Sequence, residues 1–410
     1  MRAAGREDPD GGSGSICQQA ITRSARQSLP MIGTSKALFA SFTPAPESKI
    51  TEIIMQMSAA QLLAPALALT VSAMIAWQPA GTAPAAVTPP TGAKPEGKPA
   101  EKGPEQKAEK PAEREPSAKG SMFDGEAAEV AAGFNFTEGP CYVRSGKFAG
   151  HFVFSDIPNA KIHKVKLDEK GKGTPELLRD KSGRANGNII DLQGRLLTAE
   201  SDGRITRTDI LNNPEAKVET LTADFEGNRF NSPNDLAVGA AGDVYFTDPA
   251  YFAEKANRKL DFEGVFRIVA ADPAKPDAAR KVVVVSREYK RPNGCCLSAD
   301  GSKLYVADAG TGELFVHEVK ADGSTGPRVL FADTKGARGR GVVDGIRTDK
   351  AGNVYTTGPG GIWCFSPKGE WLDRLAVPMV SNFAFGGADG KTLLLTSGDK
   401  VMTARTKNPG

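Results

Sequence analysis

The sequence predicts an all-β protein, a six-bladed β-propeller of four-stranded antiparallel blades. Six segments between residues 134 and 407 repeat one pattern, in which a short polar residue precedes a glycine by eight positions. The polar residues, called anchors below, lie 48, 48, 59, 51 and 38 residues apart, which is a spacing typical of propeller blades. The anchors are Glu138, Asn186, Asn234, Asn293, Asp344 and Asn382, and their glycines are Gly146, Gly194, Gly242, Gly301, Gly352 and Gly390.

Each repeat also predicts four strands. Apolar and polar residues alternate between anchor and glycine, as at Leu236 and Val238, which indicates a strand that ends in a tight turn. A second strand (for example DVYFTD), a third (ELFVHEV) and a fourth (KVVVVS) follow. A β-helix needs shorter repeats and a sandwich would not give six equal ones, so these units predict a propeller. The short fifth interval predicts a trimmed blade.

Three segments precede the predicted propeller. Residues 1–54 are polar and aperiodic, which predicts disorder or an extension upstream of the true start site. Residues 55–86 contain an apolar run (62–77) and an A-x-A pattern, as in a secretory signal peptide. Residues 87–120 are rich in Pro, Lys, Glu and Ala, which predicts a solvated linker. The catalytic domain is then expected over residues 121–410.

The apolar run sets the expected location of the protein. It predicts export to the periplasm or the extracellular space, with an uncleaved membrane anchor as the alternative. No Lys or Arg lies between Met55 and the run, so the sequence leaves both alternatives open. Membrane contact is expected only if residues 62–77 stay attached as an anchor.

Composition excludes several functions. The 52 basic and 49 acidic residues give a net charge of +3, which provides no electrostatic case for nucleic-acid binding. Only three His occur and no G-x-S-x-G elbow is present, which disfavours a histidine zinc site and a serine hydrolase triad. The five Cys have no paired spacing. The neighbours Cys295 and Cys296 should face opposite sides of a strand and serve packing, with a redox role as the less favoured alternative.

Two further groups of charged residues have structural interpretations. Arg338 and Arg340 lie in a Gly-rich loop, which predicts solvated surface, with a rim contact to an acidic substrate as the alternative. Four acidic residues end the second strands and are expected to cap turns or to bond neighbouring blades. They are Asp156, Glu200, Asp248 and Asp308.

The anchors should converge on the propeller axis, because the innermost strand of every blade starts near the central channel. All six offer side-chain oxygen atoms, and apolar sequence follows each. One such Asn would be interpreted as a turn cap, but six aligned acceptors facing each other are costly unless something binds them. A hard divalent cation such as Ca²⁺ takes carboxylate and amide oxygens. Zinc prefers His or Cys, and neither occupies an anchor.

The motifs FTEGP, SGRANG, RFNSPNDL, YFTDP, RPNG, LSADGSKLYVAD and VDGI resemble those of the gluconolactonase/regucalcin (senescence marker protein) family of six-bladed propellers. The resemblance covers about 275 residues, from Phe134 to the last strand. It implies that Glu138, Asn234, Asn293 and Asp344 hold a divalent metal, commonly calcium, with Asn234 as either a metal ligand or a substrate contact. Magnesium, manganese and zinc stay open as alternatives.

This set of residues predicts a metal-dependent lactonase. The metal would polarise a lactone carbonyl, and Asp344 would be the general base that activates water. Asn186 and Asn382, with Asn234, would hydrogen-bond the substrate, and the resemblance implies sugar lactones such as gluconolactone. Two alternatives stay open, namely a phosphotriesterase or other esterase on the same scaffold and a propeller that binds a ligand without catalysis.

Overall fold

The computed structural model describes residues 115–252, 258–271 and 280–410. The segments predicted for residues 1–54 and 55–86, and most of the linker predicted for 87–120, lie outside these ranges. Within them, no helix has the length and apolarity that crossing a membrane requires. The described residues form 26 strands.

Six four-stranded antiparallel sheets form the blades. After strand β1 (Ala128–Ala132), the first blade runs outward from the axis through β2 (Thr137–Tyr142), β3 (His151–Asp156), β4 (Lys161–Lys166) and β5 (Glu176–Arg179). The second contains β6 (Ala185–Ile190), β7 (Leu196–Glu200), β8 (Arg204–Thr208) and β9 (Glu219–Thr222). A hairpin of β10 (Asp224–Phe225) and β11 (Asn228–Arg229) leads to the third blade.

The remaining blades repeat this order. The third contains β12 (Leu236–Val238), β13 (Val244–Asp248), β14 (Gly264–Ile268) and β15 (Val282–Ser286), and the fourth contains β16 (Pro292–Leu297), β17 (Lys303–Asp308), β18 (Glu313–Glu318) and β19 (Val329–Asp333). The fifth contains β20 (Ile346–Thr348), β21 (Val354–Gly358), β22 (Gly361–Phe365) and β23 (Trp371–Ala376). The sixth contains β24 (Val380–Gly386), β25 (Thr392–Ser397) and β26 (Lys400–Arg405). The predicted six-bladed propeller is confirmed.

The sixth blade obtains its fourth strand from the other end of the domain. Strand β1 pairs antiparallel with β26, from Ala128 opposite Thr403 to Ala132 opposite Lys400. This pairing joins the two ends of the ring and covers an edge that would otherwise be open to other strands. The repeat pattern starts after β1 and therefore contains no signal for this closure.

The expectation of a trimmed fifth blade is wrong. All four of its strands, β20 to β23, are present. Its repeat is short because all its outer connections are short: two residues separate β21 from β22, five separate β22 from β23 and three separate β23 from β24. Gly358 pairs directly with Gly361 across the first of these turns. Gly360 adopts a φ of 81° in that turn, a conformation that favours glycine.

The chain already contacts the propeller upstream of the predicted boundary at residue 121. The backbone N–H groups of Ser117 and Ala118 donate to the carbonyls of Trp371 and Leu372, over 2.9 and 2.8 Å. The buried carboxylate of Asp373 accepts from the N–H groups of Gly120 and Met122, each at 2.9 Å. The end of the predicted linker therefore lies along the outer strand of the fifth blade.

Apolar side chains fill the spaces between neighbouring blades. Cys295 packs with Tyr245 and Val265 of the third blade, whereas Cys296 packs with Val343 and Ile346 of the fifth. The expectation that the two cysteines face opposite sides is therefore confirmed. Burial raises the pKa of the Cys296 thiol to about 12 and also raises that of the Cys295 thiol well above its usual value. A protonated, buried thiol is inert, which argues against a redox role.

Candidate functional site

The six innermost strands form a closed ring. Each of β2, β6, β12, β16, β20 and β24 contacts the innermost strands of both neighbouring blades. Glu138, Asn186, Asn293 and Asn382 lie near the start of their strands, and Asn234 and Asp344 lie two residues before theirs. The six anchors therefore share one end of the ring, as the sequence predicted.

The strand pairing is irregular where the anchors lie. In four blades the register shifts at or beside the anchor, for example between Glu138 and Cys141 and between Pro292 and Cys295. In the third and fifth blades pairing begins only at Leu236 and Ile346, after the anchor. Such irregularities redirect side chains and are common next to active sites. The anchor side chains therefore need not follow the regular alternation of side chains between the two faces of a strand.

Glycines next to the anchors allow the innermost strands to approach closely. A Cβ atom on Gly139 would lie 1.9 Å from the carbonyl oxygen of Asn186, and one on Gly187 would lie 2.5 Å from that of Asn234. A Cβ atom on Gly294 would likewise meet the carbonyl oxygen of Asp344, whereas one on Gly345 would meet the side-chain Oδ1 atom of Asn382. Each of these glycines directly follows an anchor, so the backbone next to one anchor touches the following anchor around the ring.

Replacing Gly294 by Ala tests this packing. The new Cβ would lie 2.1 Å from the Asp344 carbonyl oxygen, so one backbone segment must move. We expect a loss of about 1–3 kcal/mol in the free energy of unfolding, measured by denaturant titration. Gly239→Ala is the matched control, because its Cβ would meet neighbours at an ordinary 3.6 Å. Equal stabilities of the two variants would contradict the close packing of the ring.

The acidic residues that end three second strands hold the segments before the anchors. Asp156 accepts from the N–H groups of residues 135 and 136, Asp248 from those of 231 and 232, and Asp308 from those of 290 and 291. Glu200 instead forms an ion pair of 2.7 Å with Arg179 of the first blade. The expected capping and inter-blade roles are confirmed, and the Asp contacts also fix the approach to Glu138, Asn234 and Asn293.

The carboxylate of Glu138 is held from two sides. Its Oε2 atom accepts from the backbone N–H of Gly139 at 2.7 Å and from Nδ2 of Asn382 at 3.1 Å. The Asn382 Oδ1 atom accepts from the N–H of Phe383 at 2.9 Å. Both ends of the Asn382 amide are thus engaged inside the protein, where they position Glu138. The contact of Asn382 with substrate, expected from the sequence, stays a prediction.

Two anchor amides present unpartnered oxygen atoms. Oδ1 of Asn186 and Oδ1 of Asn293 are buried and accept no hydrogen bond. Nδ2 of Asn293 donates to the hydroxyl of Tyr251 at 2.9 Å, which fixes the amide with its oxygen free. The guanidinium of Arg291 lies 5.3 Å from the centre of the Tyr251 ring. Buried acceptors without partners are rare in native proteins and suggest that something else binds them.

Burial and neighbouring negative charges raise the pKa of both anchor carboxyls. Burial is the main cause for Glu138, with the charge of Asp235 adding to it, and its pKa rises to about 7. The pKa of Asp344 rises well above its usual value because of burial, with the charges of Glu138 and Asp235 as further causes. A bound cation would offset these negative charges, since an opposite charge favours the ionised form.

The donor set fits a hard cation. Over residues 115–252, 258–271 and 280–410, no three His, Cys, Asp or Glu side chains form a metal-binding group. The ring instead combines two carboxylates with the free amide oxygens of Asn186 and Asn293. Calcium is bound by such oxygen atoms together with water, whereas zinc prefers nitrogen and sulfur.

One charged pair in the channel was not anticipated from the sequence. Nη1 of Arg347, on β20, lies 3.0 Å from Oδ2 of Asp235, which directly follows the anchor Asn234. Three residues after their anchors, the other blades carry Cys141, Ile189, Ala237, Cys296 and Phe385. An arginine in this otherwise uncharged position was the signal that could have revealed the pair.

Other features lie away from the ring. Arg338 and Arg340 are exposed in the loop before β20, as the solvated-surface interpretation expects. A cavity of about 780 Å³ is lined by residues of the first and sixth blades, among them Tyr142, Lys166 and Arg405. No anchor contributes to its lining, so it is separate from the candidate site.

Known proteins share this sequence and fold. A gluconolactonase from Zymomonas mobilis is 31% identical over 304 residues, which are 68% of this chain and 81% of that protein. A gluconolactonase structure from Xanthomonas campestris superposes with a TM-score of 0.57 at 24% identity, covering 71% of this chain and 99% of that one. A calcium-binding protein, regucalcin, from Agrobacterium tumefaciens gives 0.55 at 19% identity, covering 70% and 95%. Both structures support the same fold.

The family comparison agrees with the extent of the propeller. Residues 136–399 match the model of the SMP-30/gluconolactonase/LRE-like region. This range begins two residues before Glu138 and ends beyond Asn382, so it contains all six anchors. The chain belongs to the SMP-30/gluconolactonase/LRE-like family.

Proposed function

We propose that the protein is a metal-dependent lactonase that opens sugar lactones. The observation that carries the proposal is the anchor ring, which combines two repelling carboxylates with the unpartnered amide oxygens of Asn186 and Asn293. The gluconolactonase relative supports the substrate class, and the calcium-binding protein among the similar structures supports calcium as the metal.

Glu138, Asn293 and Asp344 would hold the cation, with Asn234 as a further ligand or a substrate contact. The free Oδ1 atom of Asn186 would accept a hydrogen bond from a substrate hydroxyl. When bound, the cation supplies Lewis-acid polarisation of the lactone carbonyl. Asn382 keeps the Glu138 carboxylate in place, and Tyr251 keeps the Asn293 amide in place. Because these contacts exist before substrate arrives, the site needs little reorganisation during the reaction.

Asp344 is the proposed general base. Its carboxylate accepts a proton from the attacking water while the water oxygen bonds to the carbonyl carbon. The same carboxyl group then returns a proton to the ring oxygen as the carbon–oxygen bond of the lactone breaks. The products are the hydroxyl and the carboxylic acid of an open-chain hydroxy acid, and the acid releases the second proton of the water to solvent at neutral pH. The raised pKa of Asp344 suits a group that accepts and donates a proton in turn.

Aromatic residues and arginines beside the anchors would contact the bound substrate. Tyr251 and Phe252 follow β13 and are 40% and 41% exposed. Arg184 lies 5.2 Å from the centre of the Phe252 ring and is two residues from Asn186. Rings of this kind provide an apolar wall for a ligand, and the arginines provide donors for its hydroxyl groups.

Chelation tests the proposed function. We expect the full chain to hydrolyse gluconolactone, to lose this activity after treatment with EGTA and to regain it when calcium is added. A phosphotriester and a simple aryl ester, assayed in parallel, report on the alternative hydrolase activities. Lactone hydrolysis that is unchanged after complete removal of divalent metal would contradict the metal dependence. Absence of lactone hydrolysis in the calcium-loaded protein would contradict the lactonase assignment.

A further inference from the structure

The ion pair between Asp235 and Arg347 crosses the central channel. Asp235 belongs to the third blade and Arg347 to the fifth, so the fourth blade lies between them. The Asp235 side chain is 1% exposed and that of Arg347 is 18% exposed. A contact between blades that are not neighbours requires the guanidinium to extend over the inner face of the ring.

Both members of the pair are fixed. Oδ1 of Asp235 accepts from the N–H of Leu236 at 2.9 Å, and Nη1 of Arg347 also donates to the carbonyl of Ile346 at 2.7 Å. At the position of Asp235, four of the other blades carry the glycines that follow their anchors. Among the six blades, only the third has a carboxylate directly after its anchor, and only the fifth has an arginine three residues after its anchor.

The pair lies next to the anchors. Asp235 directly follows Asn234, and its Oδ2 atom is also 3.4 Å from the backbone nitrogen of Cys295, two residues after Asn293. With Arg347 present, the guanidinium compensates the charge of Asp235, so the uncompensated negative charges of the ring are those of Glu138 and Asp344. Without it, Asp235 would add a third negative charge next to the anchor Asn234.

We propose that Arg347 is a built-in counter-cation that neutralises Asp235 and so sets the affinity of the anchor ring for its divalent cation. The inference rests on the cation site of the proposed function. Arg347 is a positioning and affinity-determining residue, not a ligand. Charges a few ångströms apart in a partly buried site interact strongly, so removal of either member should change cation affinity in opposite directions.

Calorimetric titration of the EGTA-treated full chain with calcium chloride tests the inference. Arg347→Met should bind calcium about tenfold more tightly than the unsubstituted protein, because Asp235 is no longer neutralised. Asp235→Asn should bind about tenfold more weakly, because the guanidinium then repels the cation. The double variant should return to within about threefold of the original affinity. Arg405→Met, which breaks the exposed pair with Asp389, is the charge-matched control and should leave affinity unchanged.

The outcomes separate this inference from the function on which it rests. Failure of the unsubstituted protein to bind calcium would overturn both. Calcium binding with equal affinities in all variants would overturn the inference alone. A double variant as weak as Asp235→Asn would make Asp235 a direct ligand and would also overturn it. If Arg347→Met does not fold, Asp235→Asn and the double variant still decide, because a purely structural pair predicts no recovery of affinity in the double variant.

Discussion

Asp344→Asn should reduce lactone turnover by about 10²–10⁴-fold, the usual contribution of a general base. Asn keeps an oxygen atom that can contact a cation, but its amide cannot accept a proton from water near neutral pH. The backbone around this residue should persist, because the Asp344 carbonyl still accepts from the N–H of Gly294. Most of the effect is therefore expected on kcat, measured at saturating lactone and saturating calcium.

The matched control for this substitution is Asp180→Asn. Asp180 is exposed and lies in the connection between the first and second blades, so the change removes the same charge outside the anchor ring. Its turnover should equal that of the unsubstituted protein. Near-normal turnover of calcium-loaded Asp344→Asn would remove Asp344 from the role of base and leave it only a ligand.

Glu138→Gln should weaken calcium binding more than it weakens turnover of the loaded enzyme. Gln removes one of the two anchor charges, and it also replaces an oxygen that accepts from Gly139 and Asn382. A loss of about one charge in a buried cation site should cost at least tenfold in affinity. Added calcium should then restore much of the activity, which it cannot do for Asp344→Asn.

Calcium titrations of activity measure this difference. The concentration of calcium at half-maximal activity should rise for Glu138→Gln and stay near normal for Glu169→Gln, an exposed control. If Glu138→Gln lost activity at every calcium concentration while it bound calcium normally, Glu138 would act in the chemistry. Our assignment of Glu138 to metal binding and of Asp344 to general-base catalysis would then be wrong.

The fold could be predicted because each blade repeats the same physical requirement. A polar anchor, an apolar strand and a glycine turn recur six times, and six similar units can bury their faces only against each other. Closure by β1 could not be predicted in this way. The segment AEVAA is short and weakly apolar. Its pairing with β26 also depends on residues far away in the chain: Glu129 forms an ion pair with Lys400, 271 residues later.

The site was only partly accessible to sequence reasoning. The anchors share one position in the repeat, so their convergence followed from the fold. Tyr251 lies in a loop between strands and carries no repeat signature, and its bond to Asn293 depends on the path of that loop. The engagement of Asn382 with Glu138 joins the last blade to the first, a contact that only the closed ring creates.

Anomalous diffraction at a wavelength sensitive to calcium, from crystals grown with calcium, tests the central claim most directly. The claim is that the anchor ring binds a divalent cation. We predict an anomalous peak on the axis, at roughly 2.3–2.6 Å from oxygen atoms of Glu138, Asn293 and Asp344. No peak at the ring in saturating calcium, or a peak bound only by other residues, would contradict it.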